Sequence, residues 1–348
     1  MTDSRSTARG QHHVPIMLQE AFATSGKGKK RQVHVFDKQE GRTFRTSPEN
    51  ILQERDFNTF QDGETTYCLE DGMGKIEHAA APALRKLIAK RSLACLDDSE
   101  RAAILVFTAL QRIRGVHTRA SMLDIAAIIR GRLRETGDHP DLVPQLRGSD
   151  DPEAVKLSSL MMIGENMPQF LRCYTNKIMV LMEAIPGETF LLGDTPVVLA
   201  NSRDTFPYGN LGLEVKGIEI YLPISPDLTI AFWCPSIIEM IEESVRVCED
   251  SIRKTSAVAV LGIGPEADKV RELQPQLKVR AQQARSDLSA IREGRPLVNS
   301  SENMEHVNSL QVAFAERYVL SLTGDFALPK RMISENENYR HGHRWALA

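Results

Sequence analysis

The 348-residue chain is 42% hydrophobic and 26% charged, a composition that supports a folded protein with a sizeable core. Its formal net charge of −3 gives no global electrostatic reason to expect nucleic acid or an anionic membrane surface as partner, and leaves only local basic patches to argue for one. Residues 1–15 carry Arg5, Arg9, His12 and His13 with no apolar segment behind them, and no apolar run is long enough to span a bilayer, so a cytoplasmic protein without membrane contact is expected.

The first informative segment is QHHVPIMLQEAFA, in which His12 and His13 run into Val14-Pro15. Imidazole is readily recruited as a metal ligand or proton carrier near neutral pH. Pro15 biases Val14 to extended geometry, and in an extended chain successive side chains alternate, so one histidine is expected to face a site and the other a packing contact. Then comes the basic stretch 24–31 (TSGKGKKR), read as a solvated turn. Residues 32–37 (QVHVFD) and 42–46 (RTFRT) read as two strands of an antiparallel pair.

From Ile76 to about Ala184 the apolar spacing is helical. Asp97 with Glu100 forms a capping-box pattern and Gly115 marks a stop after Arg114; a second helix is predicted over about 119–134. Helix is predicted to resume at Asp151-Pro152-Glu153, pause near Met167-Pro168 and run on to Glu183. His139, in the turn-rich stretch between, is read as solvent-exposed. Short strands follow at 188–193, 197–201, 217–224 and 228–234, the last two joined through Ser225-Pro226-Asp227. Helical spacing returns over 237–247, 266–292 with an interruption at Pro275, and 302–322. The pattern predicts an α+β fold, an antiparallel or mixed sheet of short strands packed with a helical layer. It predicts one domain over residues 11–323, with flexible tails at 1–10 and 330–348.

The five cysteines are scattered without a C-x-x-C pair, which fits reduced thiols. No phosphate-binding loop, dinucleotide fingerprint, H-E-x-x-H or G-x-S-x-G is present. Candidate sites therefore come from scattered residues. Asp194, at a strand end before Thr195-Pro196, either meets a histidine in a divalent-metal site, with Glu77 or Asp204 as a further ligand, or caps the local turn. The metal set read here is His12, His13 and Asp194, with His13 and Asp194 as catalytic residues. Gln111, Arg112, Arg114, His117 and Arg119 cluster at a helix end, where arginine forks suit an anionic small molecule or nucleic acid and the helix dipole alone also attracts cations. Asn308 and Gln311 share a helix face, with Arg317 near the same side, and add candidate substrate contacts.

HHVPIMLQEAFA, VHVFD with RTSPENI, IEHAAAPALRKLI, LQRIRGVHTR, FLLGDTPVV, IYLPISPDLTIAF and VNSLQVAFAERYVLS, taken together, resemble a widespread bacterial domain-of-unknown-function family over roughly 11–322. Its members open with H-x-V-P-x-x-x-L-x-x-F and carry a T-S-D-x-P-like motif midway. The chain departs from that pattern where Leu192-Gly193 precede Asp194 and where Arg114-Gly115-Val116 follow the glutamine-bearing helix. The resemblance implies a fold-sized unit and candidate positions, not an activity. The chemistry expected from the residues is metal-dependent hydrolysis of a phosphoester, a class that includes nucleic acid, with non-catalytic binding of a ligand or partner as the alternative.

Overall fold

A computed structural model describes residues 10–24, 31–62, 64–203 and 211–344. The chain opens with strand β1 (Gly10–His12) and the short helix α1 (Ile16–Ala21), then β2 (Val33–Asp37), β3 (Arg42–Thr46), β4 (Gln53–Arg55), β5 (Thr59–Asp62) and β6 (Thr65–Cys68). Helices α2 (Glu70–Lys90), α3 (Asp98–Arg114), α4 (Val116–Glu135) and α5 (Pro152–Thr175) form the helical layer. Strands β7 (Ile178–Glu183), β8 (Leu192–Gly193), β9 (Val198–Ala200), β10 (Glu219–Ser225) and β11 (Leu228–Trp233) lead into a helical hairpin, α6 (Pro235–Leu261) and α7 (Pro265–Glu293). The chain then returns through β12 (Leu297–Val298), α8 (Ser301–Phe314), β13 (Tyr318–Ser321) and α9 (Ala327–Glu335).

The strands build a five-stranded sheet in the order β12-β7-β11-β10-β9 and a four-stranded sheet in the order β3-β2-β13-β8, with β1-β4 and β5-β6 as separate antiparallel pairs. Among the described residues only β12 with β7 is parallel. The expected α+β class with a mixed sheet and a helical layer is what the chain adopts. One core joins both sheets, α1, α2, α3 and α8, with Leu18, Leu87, Phe107, Leu222, Ile230 and Leu320 essentially inaccessible. β10 and β11 are buried on both faces, which is why they read as near-continuous apolar runs and not as alternation.

Local signals account for the start of the helical layer. Asp97 accepts from the Glu100 backbone N–H (2.8 Å) and Glu100 Oε2 accepts from the Asp97 N–H (2.9 Å), a reciprocal cap for α3. Gly115 then takes an extended conformation and separates α3 from α4, so side chains on either side of it leave in different directions. Ser225-Pro226-Asp227 closes the β10–β11 hairpin as expected.

Five expectations are corrected. α5 continues through Pro168 and ends at Thr175. Pro168 lies on the solvent side, where the Gly164 carbonyl that it leaves without a helical donor is at an exposed residue. Residues 178–183 form the interior strand β7, because a six-residue apolar run reads alike as a buried helix or a buried strand. α7 likewise runs through Pro275, and the predicted helix over 302–322 stops at Phe314, where β13 begins and slots between β2 and β8. The C-terminal segment from 330, read as a loose tail, forms most of α9, with Met332 and Ile333 buried. Residues 1–9, 25–30, 204–210 and 345–348, which include most of the basic stretch, Asp204 and most of the N-terminal tail, lie outside the described residues. Among the described residues no helix is long and apolar enough to cross a membrane, and all five cysteines are free.

Candidate functional site

β1 carries His12 and pairs with β4, which brings it against the first two turns of α2. His12 lines a polar cleft of about 390 Å³ together with Pro15, Met17, Glu70, Glu77 and His78. Glu70 and Glu77 are seven residues apart and therefore share one face of α2. The His12 ring is bonded to the backbone of Pro48, while its Nε2 has no partner. Burial holds this imidazole below its ordinary value, against the opposing pull of the Pro48 bond, Glu70 and Glu77, so it is neutral at neutral pH with an imidazole nitrogen to spare.

His13 goes to different surroundings. It is 5% exposed, packs on the Phe57 ring at 5.4 Å between centroids, and neither ring nitrogen has a hydrogen-bond partner. Burial, helped by Arg114, His12 and Arg119, pushes it down to about 3. Behind both histidines, the buried Arg114 reaches Glu77 (2.6 Å), while its Nε donates to Gln111 Oε1 (2.8 Å). Asn58 Nδ2 donates to Glu70 (2.5 Å) and its backbone N–H to Gln11 Oε1 (2.5 Å). His12 Nε2, both nitrogens of His13, Asn58 Oδ1 and Arg114 Nη2 are all buried and unpaired in this one neighbourhood. Buried polar atoms are normally paired, so a cluster of exceptions marks a place for a ligand or ordered solvent.

The predicted cationic cluster does not act as one unit. Gln111 also donates to the His13 carbonyl (3.4 Å), and Arg112 sits beside Tyr174. Arg119 stacks over Phe57 at 3.6 Å and donates to Ser159 and the Phe57 carbonyl. His117, beyond the Gly115 break, turns away to Glu316 (2.8 Å), which Arg344 also grips (2.7 Å). Arg114, Arg119 and His117 thus spend donors on protein groups, while Arg112 Nη1 and Arg114 Nη2 are buried without a partner.

Asp194 also has its own company. Its carboxylate accepts from the backbone N–H groups of Glu316 (2.7 Å), Arg317 (2.7 Å) and Tyr318 (2.8 Å), clamping the passage from α8 into β13 instead of the Thr195-Pro196 turn. Burial pushes its carboxyl up to about 6, against those amides and the nearby Lys38 ammonium. Lys38 is itself fully buried and donates to the carbonyls of Val312 (2.5 Å), Ala315 (2.5 Å) and His341 (3.2 Å); burial lowers it to about 8. Asn308 bonds Leu191 N–H and the Thr189 carbonyl, and Gln311 bonds Gly193 N–H and the Pro196 carbonyl, so both amides stitch α8 to the β8 segment. A Cβ at Gly193 would lie 2.8 Å from the Gln311 carbonyl, so the close approach of α8 requires glycine there. Arg317 pairs with Asp37 (2.8 Å) and Glu40 (2.9 Å).

The metal set expected from His12, His13 and Asp194 is corrected on this point. Among the described residues no group of three or more His, Cys, Asp or Glu side chains is arranged to hold a metal ion. The Asp194 oxygens are occupied by three amides, and the histidines have the α2 carboxylates as neighbours. Of the expected residues, His12, His13, Gln111, Arg114 and Glu77 come together; Asp194, Asn308 and Gln311 belong to a second, internally bonded knot. Glu70, Asn58 and His78 were missed. The seven-residue spacing of Glu70 and Glu77 on an otherwise apolar-faced helix was the available signal.

Neither a curated protein nor a solved structure matches the chain. Residues 10–325 match the family described as "Protein of unknown function (DUF4238)". That span takes in β1 with His12, the α2 carboxylates, and the Asp194 knot through β13, and the chain belongs to this family.

Proposed function

We propose that the His12 cleft is a hydrolytic centre that works by general acid–base catalysis on a neutral or cationic substrate. The observation that carries this reading is a neutral imidazole, fixed through Pro48, whose buried Nε2 has no partner, on a residue that lines a cleft of about 390 Å³ together with Glu70 and Glu77. In the step envisaged, His12 takes the proton of a water as its oxygen bonds to the electrophilic carbon. The same proton then passes to the leaving group as the old bond breaks. Glu77, tied to Arg114, and Glu70, tied to Asn58, supply fixed negative charge that favours the transient imidazolium. A phosphoester is less well served, because Arg114 and Arg119 spend donors on Glu77, Gln111, Ser159 and Phe57.

The test is turnover of p-nitrophenyl acetate, p-nitrophenyl decanoate and bis-p-nitrophenyl phosphate by the wild type and His12→Gln. Loss of a general base lowers turnover by roughly 10²–10⁴-fold. Turnover of an acyl ester that collapses in His12→Gln at unchanged melting temperature is the expected result. No turnover of any of the three, or full turnover by the variant, would sink the proposal.

A second reading, a non-catalytic protein that engages a partner, is favoured by the tip of the α6–α7 hairpin, where Val260, Leu261 and Ile263 are 77%, 80% and 99% exposed. It predicts that Leu261→Ser with Ile263→Ser alters the association state and leaves hydrolysis untouched.

A further inference from the structure

A second hollow, about 540 Å³ and predominantly apolar, lies beside the His12 cleft between α1, α2 and the β10–β11 turn. Its α2 lining is Ala81, Leu84, Arg85, Ile88 and Ala89. Met17 and Ala81 line both hollows, so they meet across these two side chains. Along α2 the lining residues Glu70, Gly74, Glu77, Ala81, Leu84 and Ile88 follow at intervals of four, three, four, three and four, which is a single stripe of the helix. That stripe is carboxylate-bearing at its start and aliphatic at its end. The change falls at Pro82, whose missing N–H leaves the His78 carbonyl without its helical donor next to the junction.

We infer that this stripe is one amphiphile-binding groove: the aliphatic half takes a medium-length alkyl or acyl arm, and the cleft takes an amine-bearing head. The inference rests on reading the cleft as a substrate site and names the class of molecule that fits it. Volume and lining match a small-molecule pocket, which is mostly apolar with a few polar groups at one end, in the range of roughly 300–1,000 Å³. From Ala81 to Ala89 the aliphatic half runs about 12 Å at the helical rise per residue. At the polar end two carboxylates face one bonded guanidinium, that of Arg114, so the head that fits carries positive charge. At the far rim Glu20 and Arg31 neutralise each other (3.1 Å). Arg85, exposed and with no ion-pair partner among the described residues, is the rival anchor, and it would select an anion instead.

The measurement is calorimetric titration of the full chain with hexylamine, octylamine, decylamine, decanol and decanoate. Affinity for the amines should rise about fourfold per added methylene, and decanoate should bind about tenfold or more weakly than decylamine. Ala89→Trp, at an exposed position that touches the aliphatic half alone, should weaken decylamine about tenfold at an unchanged melting temperature. Affinity indifferent to chain length, decanoate as the tightest ligand, or unaltered decylamine binding by Ala89→Trp overturns the groove. The two proposals separate cleanly. Chain-dependent amine binding without turnover of any ester retires the hydrolase and keeps the groove, whereas ester turnover without chain dependence does the reverse.

Discussion

The His12 cleft and the Asp194 knot are both buried and polar, and they differ in whether their atoms have partners. At Asp194 each carboxylate oxygen has a backbone donor, Lys38 closes on three carbonyls, and the Asn308 and Gln311 amides are bonded at both ends. At the cleft, two imidazoles, an amide oxygen and a guanidinium nitrogen are left over. A saturated network fixes architecture; an unsaturated one costs free energy and stays useful only where something else binds. The contrast ties Asp194 to the joining of α8 and β13, and it is the reason the proposed chemistry is put at His12.

The sharpest way to break that contrast is Asp194→Ala. Three partly buried N–H groups would lose their acceptor, at a cost of about 3 kcal/mol in unfolding free energy. A denaturant midpoint that hardly moves would mean that Asp194 is not a structural clamp. Next in size is a pH effect at His13. Its folded value of about 3 lies below the ordinary 6.5, so between these values the unfolded chain binds the extra proton and stability falls as the pH drops. From pH 6.5 to 4 the loss is about 3 kcal/mol. His13→Leu should flatten denaturation midpoints across that window, and an unchanged slope would show that the imidazole is not held neutral. Smaller still is Arg344→Ala, which removes a partly exposed partner of Glu316 and Asp124 and should cost about 1 kcal/mol or less. A loss several times larger in thermal melts would move the C-terminal segment into the saturated class.

Much of the frame was legible because it rests on local rules. The Asp97–Glu100 cap, the Gly115 break and the Ser225-Pro226-Asp227 hairpin are contacts within a few residues, and each appeared where the residues demanded. Strands β7 and β13 were read as helix because both are short apolar runs whose strand character comes from neighbours far along the chain: β11 for the first, β2 and β8 for the second. The site shows the same division. His12 stood out by chemistry, but its company on α2 depends on how β1 pairs with β4, and no spacing reports that. Asp194 looked available because the three amides that occupy it lie more than 120 residues away.

The α6–α7 hairpin leaves the five-stranded sheet at the end of β11 and re-enters at β12, and these two strands flank β7 on either side. Trp233 lies opposite Ile178 and Leu297 opposite Met182, so its two ends are two strands across and four residues along, roughly 16 Å apart. The whole excursion behaves as a cassette closed at its base. Its helices zip against each other through contacts near in sequence, whereas β12 can dock on β7 only after the excursion has folded back. Matched shortening of both helices should leave the sheet intact, and the last strand to join it should be β12.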